Sequence, residues 1–344
     1  MISRLEIRNF KSIRHLTLDC RRVNVFIGEP NTGKSNILEA IGLFSAPYTG
    51  SFRDFVRMED MADLFCDNNL EETIKIRARG HRFDGEFECA FRHEEGIVKG
   101  SLTVPGMDLE SEAGKIRLSP AIVEFKDDRL QLESVQRQPK GQPVVKFYRF
   151  ASDVSFQRIP SLFLLPPDGK NLPFLLLSNK ALKKSLGDLF APFGLLVVVD
   201  YRGEFLKVQR EIGEEIAQFP WCAISDTLRR MAFYLAAIET NRDSVLVFEE
   251  PESHAFPYYT KYLAERIALE DSNQYFLSTH NPYLLVPLLE KTPAEELAIF
   301  VTYFRENQTM VKPIAGREER GRVLDLDLAD IFLNLDLLVD EGSW

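Results

Sequence analysis

Cysteine is scarce and scattered. The four in the chain, Cys20, Cys66, Cys89 and Cys222, form no C-x-x-C pair, so no zinc pattern is present and a disulfide framework is not expected. A reduced cytoplasmic setting is the expectation. Long apolar runs are also missing. Residues 162–165 and 195–199 stop far short of the roughly 20 residues a membrane helix needs. The opening MISRLEIRNF has charges where a signal peptide needs an apolar core, so no membrane role is expected. Cationic excess is absent too: 42 Lys and Arg stand against 52 Asp and Glu, a formal net charge of −10, with a pI of about 5.2. That balance argues against a protein that coats nucleic acid with its whole surface, but it leaves room for a local basic groove. Arg4, Arg8, Lys11, Arg14, Arg21 and Arg22 form one basic cluster, and Lys170, Lys180, Lys183 and Lys184 another; each reads as a solvated face. No heptad region, low-complexity tract or internal repeat appears.

What the chain does have is core-forming material: 45% of its 344 residues are hydrophobic, ample for a large α/β unit. Residues 1–27 alternate as strands and end in the short, mostly apolar run 23–27, of the kind found in a sheet buried on both faces. Residues 35–44 have helical spacing. Residues 52–65 are expected to be a helix. Strands are expected over 73–78, 86–91, 97–104, 121–125 and 144–150, punctuated by Gly, Asp and Asn. A single helix over 175–190, a hairpin from 195–199 and 205–208, a helix over 225–240, strands at 244–248 and 274–277, a helix at 257–269 and a late hairpin from 297–304 and 309–314 follow.

Gly28-Glu29-Pro30-Asn31-Thr32-Gly33-Lys34-Ser35 fits G-x-x-x-x-G-K-[ST] at every fixed position. A loop that wraps a triphosphate with its own backbone N–H groups needs glycines where a Cβ would block approach. The following helix start, Asn36 included, presents the positive end of its dipole. Lys34 is placed to reach the β- and γ-phosphates of ATP, and the Ser35 hydroxyl to hold Mg²⁺. An apolar strand before the loop and an amphipathic helix after it weigh against a chance match in a Gly/Ser loop.

Residues 245–248 are apolar and run into Glu249-Glu250-Pro251. A phosphate-loop ATPase needs one acid near Mg²⁺, assigned to Glu249, and a second to polarise the attacking water, assigned to Glu250. Without the phosphate loop, a solvated strand end would be the better reading. Residues 274–277 lead into Ser278-Thr279-His280-Asn281-Pro282. His280 there can donate a hydrogen bond to a phosphate oxygen or to the attacking water, although a lone histidine after a strand is more often structural.

These three segments, in this order, resemble the ATPase heads of the ABC superfamily. The likeness is to the prokaryotic RecF/SMC/OLD-like group, among AAA-type ATP-binding proteins without a Toprim domain. The opening LEIRNFKSIRHLTLD followed by VNVFIGEPNTGKSNILEAI, then LVFEEPESHAFP and FLSTHNP, are the segments that carry it. The resemblance implies an α/β P-loop NTPase fold, ABC/SMC-head-like, with an antiparallel β elaboration and a helical lobe. Residues 1–50 and 195–344 would form the core, with 51–194 inserted between the phosphate loop and the signature region. It also implies a homodimer in which two heads sandwich ATP and Ser225, in a signature loop, caps the phosphate held by the other subunit. Departures are visible. Glu249 stands for the usual Asp and Phe256 for a second histidine. Ile224-Ser225-Asp226-Thr227-Leu228-Arg229 lacks the signature glycine, and Gln157 is only one candidate for the Q-loop glutamine. The roughly sixty residues after Pro282 are too few for a Toprim domain.

Two functions follow as expectations. One is an ATP-hydrolysing switch of a DNA-repair or phage-defence system, acting with a nuclease or toxin as effector and with DNA binding left open. The other is a nucleotide-binding scaffold with little hydrolysis that restrains a partner protein. A metabolic kinase fits the acid pair and His280 less well, and a transporter subunit fits the N-terminal strands less well.

Overall fold

Three mostly apolar runs set the frame, because a strand covered on both faces has little polar side to show. The computed structural model describes residues 1–46, 53–80, 86–94, 97–105, 120–126, 144–200, 202–314, 332, 333 and 335. Along the chain lie β1 (Ile2–Phe10), β2 (Ile13–Asp19), β3 (Val23–Gly28), α1 (Lys34–Gly42), β4 (Ile74–Gly80), β5 (Glu86–Glu94), β6 (Ile97–Pro105), β7 (Pro120–Lys126) and β8 (Val145–Tyr148). Then come α2 (Leu172–Ser178), α3 (Lys180–Phe190), β9 (Leu196–Val199), β10 (Leu206–Ile212), β11 (Glu215–Pro220), α4 (Asp226–Thr240), β12 (Val245–Glu249), α5 (Pro257–Leu269), β13 (Gln274–Ser278), α6 (Pro282–Lys291), β14 (Leu297–Arg305) and β15 (Gln308–Ile314).

The central sheet has the order β15-β14-β3-β13-β12-β8. Its strands run parallel except for β15, which is antiparallel to β14. Alternate residues of each strand enter different cores. Val23, Val25, Leu246, Phe248, Tyr275 and Leu277 pack with α2 to α6 on one face. Phe26, Val145, Phe147, Val245, Val247 and Phe276 pack with α1 and the first strands on the other. Each such side chain, fully buried, stabilises the fold by roughly 1.5–3 kcal/mol relative to exposure. Every parallel strand therefore opens its C-terminal end on one edge, where α/β sheets place their ligands.

A second, antiparallel sheet has the order β2-β1-β4-β5-β6-β7, and a third joins β11-β10-β9. The expected partition at residues 51 and 194 is crossed in both directions. β1 and β2 belong to the antiparallel sheet, while β8, from the stretch read as an inserted lobe, sits beside β12 in the central sheet.

Local differences have local causes. Where a helix was expected, residues 53–60 form turns and bends, followed by 3₁₀ turns at Met61–Leu64 and Cys66–Asn68. Asp60 and Asp63 cap each other's backbone there, and Phe55, Val56, Leu64 and Phe65 are buried against the sheet. The expected 175–190 helix is two helices. Asn179, in extended conformation, ends α2, and its side chain accepts from the Leu182 amide to start α3. The expected hairpin gains a third strand, β11, whose mostly exposed residues give little hydrophobic periodicity. Among the described residues no helix is long and apolar enough to cross a membrane.

Candidate functional site

Three parallel strands meet at one edge, with β13 between β3 and β12. β3 delivers the glycine-rich loop. Gly28 and Gly33 have φ of +152° and +96°. A Cβ on Gly28 would lie 2.3 Å from the Thr302 carbonyl and hydroxyl oxygens, and one on Gly33 2.0 Å from Thr309 Oγ1. The glycines are thus required by close approach of β14 and β15 behind the loop, as well as by any ligand in front of it. Thr32 Oγ1 donates to the Glu29 carbonyl at 2.8 Å and meets Thr302 Oγ1 at 2.7 Å, which fixes the loop from within. Glu29, Pro30 and Asn31 are exposed at its tip.

Lys34 folds back over the loop. Its Nζ donates to the carbonyls of Gly28 and Glu29, each at 2.7 Å. Burial lowers its pKa, and the charges of Glu250 and Glu29 oppose that shift. Gly33 stands at the N-cap of α1 without a side-chain cap, and no acidic residue occupies the first turn. A buried ammonium held only by carbonyls, beside an uncapped helix start, suits an anion. The terminal phosphates of a nucleotide fit that description, with Ser35 half-buried at the helix start. Asn36 is spent elsewhere: its Nδ2 donates to Ser12 Oγ at 2.7 Å, and that hydroxyl lies 2.6 Å from Thr309 Oγ1.

β12 delivers the two glutamates to different surroundings. Glu249 is paired through both oxygens, to Arg57 Nη2 and Arg149 Nη2, each at 3.2 Å. Arg57 also holds Glu39 of α1 at 2.6 Å, and Lys11 holds the other Glu39 oxygen at 2.5 Å. Glu39 is fully buried, so its interior charge depends on Lys11 and Arg57 together, and removing either leaves one carboxylate oxygen without its cation. Glu250 lies against His280 instead. Its φ of +42° is unusual for a residue with a side chain. Its amide donates to the Ser278 carbonyl at 3.2 Å and to Ser278 Oγ at 3.3 Å. Glu250 Oε1 lies 3.2 Å from His280 Nδ1, and Ser253 Oγ donates to Oε2 at 3.4 Å. β12 and β13 therefore bring Glu250 and His280 into direct contact, within the electrostatic reach of Lys34.

Ser225 caps α4, its Oγ accepting from the Leu228 amide at 3.3 Å. Asp226 is neutralised by Arg229 at 3.1 Å and Arg230 at 3.3 Å. Thr227 Oγ1 donates to the His254 carbonyl at 3.2 Å, tying this helix start to the loop after Glu250. Gln157 is exposed, its amide donating to the Lys170 carbonyl at 2.8 Å.

Sequence reasoning passed over Arg57, Arg149, Glu39 and Glu252. Arg149 follows β8 directly, and only the pairing of β8 with β12 reveals that it faces Glu249. Glu252 is buried, and Thr279 Oγ1 donates to its Oε1 at 2.5 Å. Burial pushes its carboxyl up to about 7 against that hydrogen bond. Among the described residues no group of three or more His, Cys, Asp or Glu could hold a metal ion. Mg²⁺ needs no such group, since it takes one or two carboxylates together with phosphate and water oxygens. Ser35, Glu249 and Glu250 are suitable donors, though Glu249 must first give up arginine contacts.

Comparisons with known proteins bear on the domain type and the fold. Residues 1–158 match the family model described as an AAA ATPase domain. Residues 131–286 match one described as an AAA domain, putative AbiEii toxin, Type IV TA system. An uncharacterized protein of Methanocaldococcus jannaschii is 31% identical over 91 residues, taking in 22% of this chain and 41% of the relative. The chain therefore spans less than half the length of that relative. Among solved structures, an SMC head bound to the C-terminal winged-helix domain of ScpA superposes with a TM-score of 0.54 at 14% identity, covering 91% of this chain and 98% of that one. The Pyrococcus furiosus SMC head, with an extended coiled coil and bound to the C-terminal domain of ScpA, gives 0.53 at 12%, covering 98% and 99%. At these identities the likeness is one of fold. The chain thus shares the SMC-head fold, and its residues 1–158 and 131–286 are each similar to an AAA-type ATPase domain.

Proposed function

We propose that the chain binds ATP with Mg²⁺ and hydrolyses it as a switch, closing into a dimer around the nucleotide and opening after turnover. The observation that carries this reading is the contact between Glu250 and His280, at the sheet edge that also holds the buried Lys34. In it, Lys34 and the first-turn amides of α1 hold the terminal phosphates, while Ser35 and Glu249 hold the metal. Mg²⁺, when bound, neutralises charge on the phosphate oxygens. Glu250 accepts a proton from the attacking water, and the His280 ring holds that carboxylate in position. Ser225, at an N-cap, offers its helix start to the nucleotide on a second copy. Asp226 does not oppose this role, because Arg229 and Arg230 neutralise it.

A companion effector, a nuclease or toxin in DNA repair or phage defence, completes the proposal. Support comes from the toxin–antitoxin description of one matching family model and from the SMC heads solved with ScpA. The test is Glu250→Gln. Turnover should fall by about 10²–10⁴-fold while ATP binding persists, and the variant should run as an ATP-dependent dimer. A variant that keeps turning over, or stays monomeric with ATP, contradicts the reading.

A second reading is favoured by the two arginines on Glu249. If they are not displaced, nucleotide is held with little hydrolysis and the protein acts as a scaffold that restrains a partner. Robust turnover by the isolated chain excludes it.

A further inference from the structure

Thr279 stands where three segments of the site come together. Its amide donates to the Phe26 carbonyl at 3.0 Å, on the strand that ends in the phosphate loop. Its hydroxyl donates to Glu252 Oε1 at 2.5 Å and accepts from the Asn281 amide at 3.0 Å. The backbone is therefore pinned on both sides of His280. Glu252 lies two residues beyond Glu250, so the Thr279–Glu252 bond links the loop carrying the histidine to the loop carrying the glutamate. Among the described residues, two other polar links join those loops: the Glu250 amide to Ser278, and His280 to Glu250.

The pair is placed at some cost. Glu252 is 2% exposed and Thr279 fully buried. Glu252 Oε2 is buried with no hydrogen-bond partner, and an orphaned buried oxygen normally costs stability. A purely structural core position would be served better by an apolar side chain of similar size. The carboxyl is retained where one of its oxygens fixes the loop around His280.

The geometry points to Glu252 as a positioning residue that acts through Thr279. Its carboxyl oxygen clamps the histidine loop so that His280 stays against Glu250, and Thr279 ties that clamp to the strand behind the phosphate loop. Glu252 touches neither nucleotide nor water in this role. The inference rests on the hydrolytic reading above. It also makes a claim about loop order that does not depend on turnover.

The test combines kinetics with hydrogen exchange on the full chain. Thr279→Val keeps the shape and removes the hydroxyl, Thr279→Ser restores it, Glu252→Ala removes the clamp, and Glu252→Gln keeps an oxygen that can accept. Thr279→Val and Glu252→Ala should each lower kcat at least tenfold, with the Kd for ATP within twofold of the parent. Thr279→Ser and Glu252→Gln should retain kcat within about threefold. The double variant Glu252→Ala/Thr279→Val should be no slower than the worse single variant, as expected for two parts of one device. In Glu252→Ala, hydrogen exchange across residues 279–281 should be at least tenfold faster, with the central strands unchanged. Parent-like kcat in Thr279→Val, or losses of kcat and ATP affinity in step, overturns the inference. If the parent binds ATP without turning it over, the hydrolytic reading fails by itself. The exchange arm then decides this inference: faster exchange in Glu252→Ala supports the clamp, and unchanged exchange ends it.

Discussion

Gly33→Ala tests the phosphate loop through its packing. The new Cβ would lie 2.0 Å from Thr309 Oγ1, 2.7 Å from Thr309 Cγ2 and 2.9 Å from Thr309 Cβ, against roughly 3.5–4.0 Å for a comfortable carbon contact. A rotamer change cannot relieve the last of these, because Thr309 is tied to Ser12 through its amide at 2.7 Å and its hydroxyl at 2.6 Å. Either β15 or the loop must move. Overpacking of this kind costs about 1–3 kcal/mol, and holding a side chain at a φ of +96° adds roughly 1–2 kcal/mol. The sum, about 2–5 kcal/mol, should appear as a lower urea midpoint at unchanged slope. Thr309→Ala removes two of the three contacts, so Gly33→Ala/Thr309→Ala should be more stable than the sum of the single effects by about 0.5–3 kcal/mol. Isothermal calorimetry with Mg·ATP should show weakened binding in the single variant. A Gly33→Ala protein with parental midpoint and affinity, and strict additivity in the double variant, would refute the reasoning.

Two further outcomes are expected. Lys146 is buried on β8, donating to Asn241 Oδ1 at 2.5 Å and Ser244 Oγ at 3.0 Å, and burial lowers its pKa from 10.5 to about 7. The unfolded chain then holds a proton that the folded chain has shed, so this group makes stability rise with pH from about 7 to 10.5, by up to about 1.4 kcal/mol per pH unit. Urea unfolding of Lys146→Met should lack that rise, and a variant with the parental pH slope contradicts it. Arg149→Gln removes one of the two cations on Glu249. The Mg²⁺ concentration for half-maximal turnover should fall several-fold, and an unchanged or higher one contradicts competition between arginine and metal.

The sequence was most legible where burial leaves no choice. Residues 23–28, 245–249 and 274–278 are mostly apolar because helices or a second sheet cover both faces, and that pattern shows in any reading of the chain. The glycine-rich loop was legible for its spacing, yet part of the need for glycine comes from Thr302 and Thr309 on strands about 270 residues away, which no local pattern displays. Residues 53–65 carry apolar side chains at nearly helical intervals, but mutual capping by Asp60 and Asp63 and burial of Phe55, Val56 and Leu64 determine the path. The acid pair was readable as chemistry but not as environment. That Glu249 meets Arg57 and Arg149 while Glu250 meets His280 depends on β8 and β13 flanking β12.

The most direct measurement is calorimetric titration of Mg·ATP into the parent and into Lys34→Ala. Lys34 makes two hydrogen bonds to loop carbonyls in this structure, and comparable bonds to phosphate, at about 1.5–3 kcal/mol each for a charged donor, correspond to roughly 10²–10⁴-fold in affinity. The expected result is one nucleotide per chain in the parent and binding weakened by at least a hundredfold in the variant. No heat of binding in the parent, or equal affinity in the two proteins, contradicts the account.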